Sequence, residues 1–245
     1  QYDAEAQQEA TKLEAKPVVK QETQEKKAAE EKTYGDTNGP ISFTEKAQAA
    51  AHNVVSIINN FTTPLKVILR DLKVDAGESA KNAVTVSGGG DVTLELDGKN
   101  ELKGGSGNRK PTASRGSGLD SWDQTGTLTI TDEDKNGSLT AVGGDVEGVV
   151  SGSWYGGNGI FANNLTISGA TVTAVGGGAD DRGSSNVHQN GSAGGDGISA
   201  KGNVKFSNAT VTATGGSAFS DKTSVEGGTG LNIISRGEFI IDSGT

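Results

Sequence analysis

The sequence predicts an all-β protein: a right-handed parallel β-helix with three strands per coil, an N-terminal capping α-helix and a charged N-terminal tail. Three observations predict this fold class. The chain contains 38 glycines but only 4 prolines. Apolar and polar residues alternate from Pro64 onward, as in half-buried strands. Similar units then recur along the chain, which is typical of a solenoid whose stacked coils each bury a few inward side chains.

The repeats predict the shape of one coil. The units Gly159–Gly177 and Gly197–Gly216 each contain a Gly-Ile pair, an apolar alternation and a Thr-Val-Thr-Ala-x-Gly-Gly segment. Three strands in so short a unit leave two or three residues for each corner. This spacing fits a triangular coil and excludes a βαβ array, which needs longer connections. We expect stacked ladders of inward side chains from Leu128, Ile130, Leu165, Ile167, Val204 and Phe206. We also expect positive φ at the corner residues Asn163, Asn164, Gly169, Gly202, Asn203 and Asn208.

The N-terminal part divides into two segments before the solenoid of residues 64–245. Residues 1–38 are rich in Ala, Glu, Gln and Lys, and we interpret them as either a solvated spacer or a docking element. Residues 42–61 predict a capping helix, because Ser42 and Glu45 have capping-box spacing and apolar residues follow at helical intervals up to Phe61. Thr245 falls within a repeat, so we expect the solenoid to continue beyond it or to be capped by another subunit.

Composition limits the function classes. The formal net charge is −9 and its acidity is spread along the chain, which argues against nucleic acid as a partner. No apolar run is long enough to insert into a membrane. The chain has no cysteine, so disulfides and thiolate metal sites are excluded.

The variable segments predict the binding surface. Each one lies between a Gly-Gly pair and the next Gly-Ile or Gly-Leu, so all of them should project from one side of the solenoid. Trp122, Trp154 and Tyr155 lie in or beside these insertions and are candidate carbohydrate contacts, because flat rings with polar edges stack on sugars. The alternative is that they cover the core under a long loop. The charges at 180–188 in the longest insertion are interpreted as solvated.

One acidic loop predicts a calcium site. Asp132, Asp134 and Asn136 have the spacing of the first three oxygen ligands of a calcium loop, and Gly137 permits the turn. The twelfth position of such a loop is Gly143, which has no carboxylate to offer. A polar turn without a metal is therefore the alternative interpretation of the same residues.

The segments Asp91–Leu102 and Gly126–Thr131, with the Thr-Val-Thr-Ala-x-Gly-Gly units, resemble the carbohydrate-binding β-helix domains of clostridial cell-surface proteins. This resemblance covers residues 64–245. It implies an exported, pectate-lyase-like solenoid that binds polysaccharide without cleaving it and that can bind calcium.

We therefore expect a non-enzymatic extracellular protein of the cell surface, whose partner is a polysaccharide or surface glycan. Two alternatives stay open: a structural subunit that stacks end to end into a homo-oligomer or fibre, and, more distantly, a polysaccharide lyase-like enzyme.

Overall fold

The computed structural model describes residues 54–78, 80–108, 116–147, 154–180, 192–220, 224–235 and 237–242, together with the backbone of three strands within residues 18–44. These residues form a β-solenoid of parallel sheets. Four repeated turns between Val84 and Thr214 each contribute a strand to all three of the long sheets. No helix in the described part of the chain is long and apolar enough to cross a membrane.

Three long sheets form the main body. Sheet 1 has eight strands in the order Glu31–Thr33, Val18–Glu22, Val54–Ile58, Val84–Ser87, Leu119–Ser121, Ile160–Ala162, Ile198–Ala200 and Leu231–Ile233. Sheet 2 has seven strands: Ile41–Thr44, Leu65–Arg70, Val92–Asp97, Thr127–Thr131, Asn164–Ser168, Val204–Ser207 and Phe239–Asp242. Sheet 3 has five strands: Lys73–Asp75, Lys99–Lys103, Ser138–Val142, Thr171–Val175 and Thr210–Thr214.

The predicted capping helix over residues 42–61 is not confirmed. Val54–Ile58 is a strand of sheet 1, and Ile41–Thr44 is a strand of sheet 2. The physical reason is that Val54, Val55, Ile57 and Ile58 are β-branched, and the inward pair Val55 and Ile57 alternates with half-buried neighbours. Strand Val18–Glu22 pairs antiparallel with Val54–Ile58, so the chain's own strands cover that edge. The rest of the tail and residues 45–53 lie outside the described residues.

The insertions contain strands as well. The coils that carry them therefore have more than the three strands that the sequence predicted. Sheet 4 consists of Gly107–Asn108, Val146–Glu147, Ala179–Asp180 and Ala218–Phe219. Sheet 5 consists of Trp154–Tyr155, Ser192–Ala193 and Val225–Glu226. Val146 and Ala179 form a small apolar cluster of their own beside Ala218. The insertion bases therefore build a second, thinner lobe along the main body.

The predicted core ladders are confirmed. Leu128 lies in register with Leu165 and Ile130 with Ile167, and the next turn places Val204 and Phe206 on the same two columns. All six side chains are buried in one continuous cluster. The period-two alternation of the sequence is the cause, because successive side chains of a strand point to opposite faces.

Four of the six corner residues lack the positive φ that the sequence predicted. Gly169 and Asn208 have positive φ, as expected. Asn164 and Asn203 have ordinary φ, and their side-chain oxygens accept hydrogen bonds from the backbone N–H of Asn203 (3.0 Å) and Glu238 (2.9 Å) in the next coil. Asn163 and Gly202 also lack positive φ. Most corner asparagines therefore stabilise coil stacking and not a left-handed backbone.

A glycine seam joins the two lobes. We use this name for two columns of glycines that face each other where the chain leaves the main body and returns to it. One column is Gly105, Gly144, Gly177 and Gly216, and the other is Gly116, Gly157, Gly195 and Gly228. The backbone N–H of each glycine after the first donates to a carbonyl of the opposite column, and these seven bonds are 2.8–3.2 Å long. The bonds zigzag through successive coils.

The seam has no room for side chains. A Cβ atom on Gly177 would lie 2.1 Å from the carbonyl oxygen of Gly144, and one on Gly157 would lie 2.1 Å from that of Gly116. The contacted atoms are backbone, which cannot move away without breaking the seam. Glycine is therefore required here for the close stacking of successive coils within each column.

Replacing one seam glycine should destabilise the protein strongly. We expect Gly177→Ala to lower the free energy of unfolding by about 3 kcal/mol or more, since it overpacks a site enclosed by backbone. Urea denaturation measures this. The matched control is Gly178→Ala, because a Cβ atom there meets its nearest neighbours at ordinary contact distances of 3.4 Å. Equal stability of the two variants would contradict the seam.

Candidate functional site

A long groove lies between the main body and the second lobe. Its floor is the outward face of sheet 1, where the residues that do not point into the core form one column. The column consists of Ser56, Thr85, Asp120, Phe161, Ser199 and Asn232, which are in register on neighbouring strands. Six strands at about 4.8 Å spacing give a floor about 24 Å long. The groove is therefore an elongated site that follows the solenoid axis.

A second polar column lies at the corner between floor and wall. It consists of Asn82, Ser117, Asn158, Asp196 and Thr229. The last four stand directly before a Gly-Leu or Gly-Ile pair, and Asn82 stands before the corresponding pair Ala83-Val84. Three members hold the next coil by a side-chain oxygen. Asn82 accepts from the N–H of Ser117 (2.7 Å), Asn158 from that of Asp196 (2.8 Å), and Asp196 from that of Thr229 (2.9 Å). This ladder aligns the corner side chains along the groove.

The wall is formed by sheet 5 and the glycines next to it. Tyr155, Ala193 and Glu226 contribute side chains, and Gly156, Gly157, Gly194, Gly195, Gly227 and Gly228 contribute bare backbone. The enclosed volume is about 940 Å³. That volume lies at the upper end of the range for ligand sites in proteins. The seam positions this wall, because it ties each insertion base to the main body.

Aromatic rings lie on both sides of the groove. Tyr155 is 42% exposed on the wall, and Phe161 lies on the floor. Trp122 stacks on Phe161 with ring centroids 4.2 Å apart and planes at 14°, and the ammonium group of Lys201 lies 5.3 Å from the Trp122 centroid. Of the three predicted sugar contacts, Tyr155 thus lines the groove and Trp122 supports Phe161 from beside it. The backbone of Trp154 pairs with Ser192, and its side chain lies outside the described residues.

Asp120 is a carboxylate of the groove floor whose titration is perturbed by burial. Burial raises the pKa of Asp120 above its ordinary value of 3.8, and hydrogen bonds from the backbone of Trp122 and the side chain of Asn82 oppose that rise. The two donor distances are 2.9 Å from Trp122 N and 2.8 Å from Asn82 Nδ2. Perturbed carboxyl groups in clefts are typical of functional sites. The structure holds this group in the floor at a cost to stability.

The predicted calcium residues lie elsewhere, on the outer side of sheet 2. Asp132 and Asp134 come together, but their third partner is Glu95 and not Asn136, whose side-chain nitrogen faces Asp134 Oδ2 at 2.7 Å. The carboxylate oxygens of these three acids lie within 4.8 Å of one another. Both oxygens of Asp132 accept loop N–H groups, from Asn136 and Gly137, as in a polar turn.

Lys66 lies beside this acidic cluster. Its ammonium group is 3.2 Å from Glu95 Oε2 and 3.0 Å from Glu133 Oε1. The hydrogen bond to Glu133 is the main cause that raises the pKa of Lys66. A protein cation therefore already compensates part of the negative charge that a metal ion would bind.

Sequence reasoning missed most of the groove. Asp120, Phe161, Asn158 and Asp196 were not singled out, although each recurs at a fixed distance from a Gly-Leu or Gly-Ile pair. This fixed distance in the sequence was the signal from which these groove residues could have been identified. The bases of the insertions line the groove through Tyr155, Ala193 and Glu226, whereas residues 181–191 lie outside the described part of the chain. The role of the insertions in binding stays a prediction.

Comparisons with protein-family models, with curated proteins and with solved structures find no match to this chain. The groove and its residues are therefore the features from which a function can be inferred.

Asp120→Asn should stabilise the protein near neutral pH. A carboxyl group whose pKa is raised on folding contributes stability below its unfolded pKa, and this contribution is lost as the pH rises through the folded pKa. The amide variant carries no such penalty, so its melting temperature should exceed that of the wild type at pH 7. The difference should shrink as the pH falls and vanish well below pH 3.8, where Asp120 is protonated in both the folded and the unfolded state. A variant that is less stable at pH 7 and unchanged in acid would contradict this account.

Proposed function

We propose that this chain is a non-enzymatic, extracellular surface protein that binds an extended polysaccharide in the groove. In this proposal the main body is a right-handed, three-sided coil, and the second lobe supplies the wall. The observation that carries the proposal is the shape and lining of the groove: a floor about 24 Å long, polar along two columns, with Tyr155 and Phe161 on its two sides. A polysaccharide has this extended shape, and its units offer hydroxyl groups and flat apolar faces.

The chemistry of the lining supports a sugar polymer over a small apolar ligand. Asn82, Asn158 and Asn232 border the groove with amide groups, whose hydrogen-bonding capacity matches sugar hydroxyls. Exposed aromatic rings stack on the apolar faces of such rings. The groove lacks the buried, mostly hydrophobic interior that encloses drug-sized ligands.

Binding without cleavage is supported by how the groove carboxylates are engaged. Asp120 accepts bonds from Trp122 N and Asn82, and Asp196 accepts bonds from Thr229 and Asn232. Both acids thereby form hydrogen bonds between neighbouring coils, which hold those coils in position. We propose accordingly that the bound polymer leaves the groove with its length unchanged.

A fibre subunit remains the second candidate because the last described coil exposes apolar side chains. Phe239, Ile240 and Ile241 are 44–60% exposed in the last described strand of sheet 2. Exposed apolar clusters mark interaction surfaces. Electron microscopy of the purified chain separates the candidates, since fibres favour the structural role and single rods favour binding.

Calcium is a further proposal, at a corrected site. The residues fit in part: Glu95, Asp132 and Asp134 offer the oxygen ligands that calcium prefers, while Lys66 competes with the ion for Glu95. When bound, the ion would link sheet 2 to the loop after Thr131. It would take no part in glycan recognition, because none of these four residues lines the groove.

Tyr155→Ala should weaken polysaccharide binding about five-fold, because one aromatic contact is worth about 1 kcal/mol. A glycan array followed by titration of the best ligand measures this, with chromatography of the recovered polymer as the check on cleavage. The matched control is Phe219→Ala, which removes a ring of similar exposure from sheet 4, outside the groove. If no glycan binds to the wild type, or both variants lose affinity equally, the groove is not the site.

Calcium in the millimolar range should raise the melting temperature if the acidic cluster binds it. One site at a hundred-fold excess over its Kd adds about 2.7 kcal/mol to stability. Glu95→Gln should abolish the effect, whereas Lys66→Met should enlarge it by removing the competing ammonium group. Differential scanning calorimetry with calcium and with a chelator tests this. Identical traces for both the wild type and Lys66→Met would rule the site out.

A further inference from the structure

The described lining of the groove has an excess of negative charge. Asp120 on the floor, Asp196 at the corner and Glu226 on the wall all contribute carboxylates. The cation in this lining is Lys81, which already has an interaction partner. Carboxylates on three surfaces of one cleft reinforce one another's potential toward a ligand within it.

Neutral groups hold two of these carboxylates in place. Asp120 accepts one bond at each oxygen, from Asn82 Nδ2 and from Trp122 N. Asp196 accepts bonds from the N–H and hydroxyl of Thr229 and from Asn232 Nδ2. Since an ionised carboxylate accepts about four hydrogen bonds, both acids retain capacity for a ligand. No ion pair among the described residues reaches either acid, so no cation of the described part of the chain neutralises their charge.

We infer that the polysaccharide bound in the groove carries free amino groups, as in a polymer of unacetylated hexosamine, and that polyuronates are excluded. This inference rests on the proposed function. Ammonium groups spaced along a polymer would each find a carboxylate at the floor, corner or wall. A polyuronate would place its own carboxylates against Asp120 and Asp196, and such juxtaposed like charges cost affinity.

A basic peptide would satisfy the charge but fits the surface less well. The groove floor is the face of sheet 1, and its backbone groups are paired with the neighbouring strands. A peptide therefore has no open sheet edge to extend here, which is the usual way an extended peptide binds to a sheet. The rings of Phe161 and Tyr155 instead offer flat surfaces that suit pyranose rings.

Calorimetric titration of the whole chain with five hexamers tests the inference: β-1,4-linked glucosamine, its fully N-acetylated form, cellohexaose, hexagalacturonate and hexalysine. The pH should keep the amines protonated, and each titration should be repeated at high salt. We expect the glucosamine hexamer to bind about ten-fold more tightly than cellohexaose, with the difference reduced at high salt. Asp120→Asn and Asp196→Asn should each lower its affinity about three-fold. Glu147→Gln, which removes the same charge outside the groove, should leave it unchanged.

The outcomes separate the inference from the proposed function. Equal affinity for cellohexaose and the glucosamine hexamer, or tightest binding of hexagalacturonate, overturns the amino-sugar inference and leaves polysaccharide binding standing. Hexalysine binding as tightly as the glucosamine hexamer also overturns it, because charge alone would then explain the affinity. Absence of binding by all four sugars contradicts the proposed function itself.

Discussion

The backbone hydrogen bonds of the glycine seam are the interaction on which the rest of the structure depends. They stack successive coils so closely that a Cβ atom on Gly177 or Gly195 would lie about 2 Å from the carbonyl oxygen of the preceding glycine in the same column. Each bond contributes only about 1 kcal/mol, and ordering a glycine costs more entropy than ordering other residues. The seam is stable because it repeats: every coil adds bonds that align with those of its neighbours, and the core ladders fix the spacing between coils.

The groove is a geometric consequence of this seam. The seam ties the base of each insertion to the main body, so that Tyr155 of sheet 5 lines the same groove as Asp120 and Phe161 of sheet 1. Part of the wall is bare backbone, which permits a ligand to approach it closely. The recognition residues thus lie on paired strands and rigid corners, and their spacing equals the coil spacing. A polymer with a regular repeat is the kind of ligand that such a periodic surface matches.

The parts of the fold governed by local alternation could be predicted from sequence, and the parts governed by contact between distant segments could not. Leu165 and Ile167 were predicted to be inward because period two determines the face of a strand. Val54–Ile58 was predicted to be helical because Val55 and Ile58 also fit a helical interval, and pairing with Val84–Ser87 decides the matter in favour of a strand. Gly156–Gly157 and Gly194–Gly195 look like ordinary loop glycines until their partners across the coil are known.

The acidic cluster also depends on contact between distant segments. Glu95 is separated from Asp132 by a whole coil and is brought to it only by the pairing of Val92–Asp97 with Thr127–Thr131.

Amide hydrogen exchange of the seam glycines tests most directly whether the backbone hydrogen bonds of the seam hold the coils together. The N–H groups of Gly157, Gly177 and Gly195 donate to carbonyls across the neck of the coil, so they should exchange as slowly as core amides such as that of Ile167. Loop amides of the insertions without such bonds should exchange much faster. Residue-resolved NMR exchange on the isotope-labelled chain provides both sets of rates. Slow exchange at all three glycines is the result that the account predicts, and exchange at the rate of unprotected loop amides would contradict it.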